Sequence, residues 1–246
     1  MGVVVFMVVL FAGIGALMFL IVRAAEQQRR DQLQAIANRM GFVFSAGADA
    51  GLLGRMSGLS LCSKGHGRTA YNAMQRRIHD IDVTLFDYRY TTGSGKHHQT
   101  HSQTVALFET DRLRLPRFTL CPQHFFHRIA SALGSQDIDF EAHPVFSESY
   151  RLQGPDEEGI RRMFDEEALL YYTRHSNLHT EGDGQRLIVY RGRSRVDPQQ
   201  MEAFLQQGLD VLDAFMEKQS ALDGVALLGI DVEQEMDELQ AVEWLE

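Results

Sequence analysis

Residues 80–108 read DIDVTLFDYRYTTGSGKHHQTHSQTVALF. Asp80–Tyr90 and Thr100–Phe108 each alternate apolar with polar residues and are rich in β-branched and aromatic side chains, the pattern of a half-buried strand. TTGSGKHHQ between them is turn-rich, so the stretch is predicted to be a β-hairpin. Symmetric pairing about that turn sets Leu85 against Val105 and Val83 against Leu107 on a core face. Nearer the turn the same face becomes polar, with Asp87 opposite Gln103 and Arg89 opposite His101. Phe86, Tyr88 and Tyr90 lie behind, against Thr104, Ser102 and Thr100. The hairpin is thus expected to be buried at its base and solvated at its tip.

Downstream, a strand followed by a proline-started helix is predicted three times. The first is Arg117–Leu120, then a helix from Pro122 carrying Phe125, Phe126, Ile129 and Leu133. The second is Phe146–Leu152, then Pro155 with Asp156, Glu157 and Glu158 ahead of Ile160, Met163 and Phe164. The third is Leu187–Tyr190, then Asp197 as N-cap, Pro198, and Met201, Phe204, Leu205, Leu209, Leu212, Phe215 and Met216 at helical spacing. Proline suits the first helical position and acids there complement the helix dipole. Phe42–Phe44 and Leu59–Cys62 are short strand candidates, and Arg174–Gln185, with two glycines, reads as a loop or a hairpin turn. The expected fold class is α+β: a two-layer domain with a largely antiparallel sheet and helices on one face.

Upstream, Gly2–Val22 (GVVVFMVVLFAGIGALMFLIV) contains no polar side chain. As a helix it covers about 31 Å, enough for a hydrocarbon core of about 30 Å. Arg23, Arg29, Arg30 and Arg39 follow it, so the positive-inside tendency predicts an N-terminus outside and a domain in the cytoplasm. A cleaved secretory signal fits less well: there is no basic n-region, the apolar run is long, and Ala24-Ala25 follows an arginine. Leu33, Ile36, Ala37 and Met40 continue at helical spacing to a stop at Gly41. The chain therefore divides into an anchor (1–23), a juxtamembrane helix (24–40), a cytoplasmic α+β domain (41–220) and an acidic tail (221–246). Gly13 and Gly15, with Ala12 and Ala16, offer a close-packing surface to another helix rather than part of a nucleotide fingerprint. A net charge of −9 argues against nucleic acid, which needs a basic face, and against a domain lying flat on anionic lipid. Cys62 and Cys121 have neither disulfide-framework nor zinc spacing and suit a reducing compartment.

Motifs for chemistry are sparse. Gly93-Ser94-Gly95-Lys96 lacks the first glycine, the hydroxyl and the helix of a phosphate loop, although a glycine-rich turn with Lys96 can hold an anion. His97 and His101 can share a strand face while His98 cannot, and no carboxylate or thiol nearby completes a zinc set. Asp137, Asp139, Glu141 and His143 would line one face of a strand. Their spacing of about 6.5–7 Å is too wide for one cation, so a solvated strand face explains them better. The hairpin tip is the best candidate: Asp87, Arg89 and His101 for proton transfer or orientation, with Tyr88, Tyr90, Lys96 and Gln103 as ligand contacts. An exposed sheet face with paired charges is the plain alternative.

FDYRYTTGSGKHHQTHSQTV, LPRFTLCP and DIDFEAHPVFSESYRLQGPDEEGIRRMF resemble a group of bacterial proteins that carry one N-terminal span and a cytoplasmic domain of unknown function. The resemblance covers roughly residues 70–220 and implies an architecture, with no mechanism. The reading is therefore a membrane-tethered binding or scaffolding module with no cofactor, its partner the bilayer through residues 2–22; the acidic segment 231–246 reads either as a solvated tail or as an amphipathic segment that folds onto a basic protein partner. A tethered hydrolase or transferase using the hairpin tip is the alternative.

Overall fold

The computed structural model describes residues 2–123 and 137–227. One helix, α1 (Gly2–Met40), runs unbroken through the expected anchor and juxtamembrane segments. It is the one helix among the described residues long and apolar enough to cross a membrane. Phe6, Phe11, Ile14, Leu17, Phe19 and Ile21 lie uncovered along its first half. In its second half Leu33, Ile36 and Ala37 are buried against the domain. The helix then ends in a Schellman cap. Gly41 takes φ +72°, its N–H donates to Asn38, and the N–H of Phe42 donates back to Ala37 at 2.8 Å.

Among the described residues eight strands follow: β1 (Val43–Ser45), β2 (His66–Ile78), β3 (Ile81–Thr92), β4 (Gln99–Glu109), β5 (Leu115–Pro122), β6 (Tyr150–Gln153), β7 (Leu178–Gly184) and β8 (Arg186–Arg191). They form one sheet in the order β1-β2-β3-β4-β8-β7-β5-β6, with every neighbouring pair antiparallel. Helices α2 (Ala50–Arg55), α3 (Ser60–Ser63), α4 (Pro144–Ser149), α5 (Glu157–Met163), α6 (Glu166–Arg174) and α7 (Met201–Leu227) complete the α+β fold. The longer helices gather on one face. There Leu33, Phe204, Leu212 and Phe215 pack with Val83, Leu85, Phe108, Phe118 and Leu187. The opposite face is covered as well, by Leu52, Met56, Leu59 and Leu61 of the α2–α3 segment over Phe86, Tyr88, Val105, Ile188 and Tyr190.

Burial on both faces explains where the sequence misleads. The hairpin forms, but in a register one residue from the symmetric one: Leu85 pairs with Ala106, Asp87 with Thr104, Tyr88 with Gln103 and Tyr90 with His101. A one-residue shift exchanges the faces of a whole strand, and alternation pins register only where one face is wet. The tip is also less exposed than expected, since Asp87, Tyr88, His101, Gln103 and Thr104 are all buried. Strand β7, within the segment expected to be a loop or hairpin turn, lies between β8 and β5. Its polar side chains are paired inside the fold rather than solvated, so tertiary context overrides propensity. Leu59–Cys62 is no strand; α3 occupies it.

The three strand–helix units fare unequally. Pro122 is the last residue of β5, opposite Tyr150, and Gln123 directly after it is helical; Phe125, Phe126, Ile129 and Leu133 lie outside the described residues. In the second unit the predicted strand is shortened to β6 by α4. Asp156 caps α5, accepting from the N–H of Gly159 at 2.9 Å. In the third, Asp197 accepts from Gln199 at 2.8 Å and opens a 3₁₀ turn that leads into α7.

Candidate functional site

The junction of α1 with the sheet is built around one buried ion pair. Arg29 continues the Leu33–Ile36–Ala37 stripe one turn towards the apolar end, and so is carried into the interface with β3. Its Nε and Nη2 donate to the two carboxylate oxygens of Asp87, each at 2.8 Å, while Nη1 donates to the Val196 carbonyl at 2.9 Å. Asn72 and Thr104 donate to the same carboxylate at 3.0 Å each. Thr104 Oγ1 also accepts from the N–H of Val196 at 2.9 Å. Asn72 reaches this position from a bulge in β2, where it takes φ +52° and the register with β3 shifts. Asp87, the first catalytic candidate, is therefore 1% exposed and fully engaged in holding α1.

Beside this pair lies a cleft of about 610 Å³ lined by Val22, Glu26, Arg30, Tyr71, Arg89 and Arg195 among others. Arg195 pairs with Glu26 at 2.7 Å. Arg89 stands over the Tyr71 ring, 5.7 Å from its centroid. Burial pushes the Tyr71 hydroxyl above its usual range, with the nearby Asp87 carboxylate adding to the shift.

The remaining candidates divide by the face on which they fall. His101 and Gln103 do not share a face with Asp87 and Arg89, contrary to the symmetric register. They join Tyr88 and Tyr90 on the opposite face, where the Tyr90 and His101 rings meet at a tilt of 42° with centroids 5.1 Å apart. His101 Nε2 meets Thr92 Oγ1 at 2.9 Å, and Gln103 accepts from the N–H of Arg193 at 3.1 Å. This face holds two residues that the sequence did not single out. Glu181, 0% exposed, accepts from the N–H of Leu61 at 3.0 Å and from the Tyr190 hydroxyl at 2.8 Å. His179 stacks on Tyr190 at 4.7 Å under Gly192, where a Cβ would come within 2.5 Å of the ring. The Tyr190 hydroxyl is pushed well up by burial and by the Glu181 carboxylate. The set clamps α3 onto the sheet. Residues 178–184 read LHTEGDG, with no apolar alternation to mark a strand, so His179 and Glu181 sat in a segment read as a loop or hairpin turn.

Lys96, His97 and His98 stay in the exposed hairpin turn, with His98 Nδ1 2.9 Å from the Gly95 carbonyl. The segment Asp137–His143 is not a strand. Asp137 pairs with Arg151, while Asp139 and Glu141 are exposed. Among the described residues no group of three or more His, Cys, Asp or Glu side chains is placed to hold a metal ion. The acidic segment 231–246 lies outside the described residues.

No family model matches the chain, and no curated protein matches it. Among solved structures it is similar to the crystal structure of the mycobacterial trehalose monomycolate transport factor A, TtfA. The TM-score is 0.54 at 13% identity, covering 78% of this chain and 93% of that one. The likeness is one of fold.

Proposed function

We propose that the chain is a single-span inner-membrane protein whose cytoplasmic domain is a binding module held at a fixed attitude to the bilayer. The observation that carries the reading is the Arg29–Asp87 pair. A flexible tether needs no buried ion pair at the foot of its anchor, whereas a module that presents a surface to membrane components needs its angle and height defined. The basic residues after the apolar run support a cytoplasmic domain. The likeness of fold to a protein described as a transport factor supports a role in transport. Catalysis at the hairpin tip is the weaker reading, because Asp87 is occupied and His101 lies on the other face from Arg89.

Crosslinked pull-down of the full-length chain from its native membrane tests the reading. Integral membrane proteins are expected to be enriched with the wild type and depleted when Asp87→Asn loosens the junction. Equal capture by both, or turnover of a small substrate that Arg89→Ala and His101→Ala abolish in a folded protein, contradicts it.

A further inference from the structure

The cleft beside the anchor has the composition and the depth of an anion site. Arg195 is neutralised by Glu26, whereas among the described residues Arg30 and Arg89 form no ion pair. Two uncompensated guanidinium groups thus face one cavity, with the Tyr71 hydroxyl nearby as a donor. Guanidinium forks match phosphate oxygens in pairs. The volume of about 610 Å³ lies within the range of small-ligand sites, about 300–1,000 Å³.

Depth selects the source of the phosphate. Val22, the last residue of the apolar run, lines the cleft, and Glu26 and Arg30 follow about 6 and 12 Å further along the helix. Headgroups occupy about the first 5–8 Å beyond the hydrocarbon. The cleft therefore opens from the hydrocarbon edge through the headgroup layer, with the Arg30 backbone just beyond it and within reach of it, since helical side chains tilt towards the N-terminus. We infer that it binds the phosphate of an anionic lipid headgroup in the leaflet from which α1 emerges. The inference rests on reading residues 2–22 as a span. The net negative charge of the whole chain does not oppose it, since the domain need not lie flat on the lipid and this cleft carries a local surplus of two arginines.

The test uses the full-length chain in detergent, with short-chain phosphatidylglycerol, phosphatidylcholine and inorganic phosphate as probes and native mass spectrometry as readout. The wild type is expected to retain phosphatidylglycerol over phosphatidylcholine, and the Arg30→Gln/Arg89→Gln variant to bind it about twenty-five-fold more weakly, at about fivefold per arginine. Glu26→Gln frees Arg195 and is expected to bind it more tightly, a gain that misfolding cannot imitate. Millimolar inorganic phosphate is expected not to displace the lipid. Equal retention by the double variant, no gain in Glu26→Gln, or full displacement by phosphate overturns the inference. Release of the wild type from native membranes by alkaline carbonate overturns the span as well. Stable retention there alongside equal lipid binding by the double variant overturns the headgroup site alone.

Discussion

Asp87 accepts from Arg29, Asn72 and Thr104 within a nearly dry interface, and its energetics follow from that crowding. Removing one partner of a buried pair strands the other charge. Asp87→Ala is therefore expected to cost about 3–5 kcal/mol in denaturant unfolding of the full chain in detergent. Replacing both residues with apolar ones, as Arg29→Met/Asp87→Leu, is expected to recover most of that loss. A single substitution that costs less than about 1 kcal/mol would show the pair to be ornamental. Thiol chemistry gives a second check. Burial pushes the Cys121 thiol up to about 11 and raises Cys62 as well, both from an ordinary 9.0. Thiolate is the reactive form, so Cys121 in the folded chain is expected to resist a disulfide reagent at pH 8 until denaturant is added. Rapid labelling of Cys121 under native conditions contradicts its placement. Asp87 was visible in the sequence as a charge inside a β stretch, whereas Arg29 was read only as one of the basic residues after the span. What connects them, a separation of 58 positions, is not a local signal.

At the scale of elements, strong local chemistry was legible and pairing was not. Gly41 as helix stop and Asp197 as cap are seen as expected, because each depends on a few neighbouring residues; Asp156, expected in the first turn after Pro155, is instead the N-cap of a helix that starts at Glu157. Gly41→Ala forces a Cβ into φ +72°, where it would also stand 3.3 Å from Arg76 Nη1. A loss of about 1–2 kcal/mol is expected by thermal or urea melting, with no loss contradicting the Schellman assignment. The hairpin register and the identity of β7 escaped for one reason: both sheet faces are covered, so polar residues such as Glu181 and His179 went inside with their partners instead of marking a wet surface. The missed strand β2 is similar, since its middle, Ala70–Met74, carries small and polar residues and a bulge.

For the whole molecule, the buried tyrosines set a limit in alkali. Tyr88, Tyr150, Tyr172 and Tyr190 are all raised above the ordinary 10.0, chiefly by burial. These phenols hold their protons more tightly folded than unfolded. Stability is accordingly intact below pH 10 and falls as pH climbs beyond it towards the folded-state values. Melting temperatures are expected to drop steadily above pH 10 while phenolate absorbance lags behind that of free tyrosine; a flat profile to pH 12 runs against the packing. The wider claim is that anchor and sheet move as one body. The measurement that reaches it most directly is the spin-label distance between Gln28→Cys on α1 and Ala214→Cys on α7, in lipid nanodiscs with Cys62 and Cys121 replaced. A single narrow distribution that broadens on Asp87→Asn is the predicted result, and a distribution already broad with Asp87 in place, or unchanged by its loss, contradicts the account.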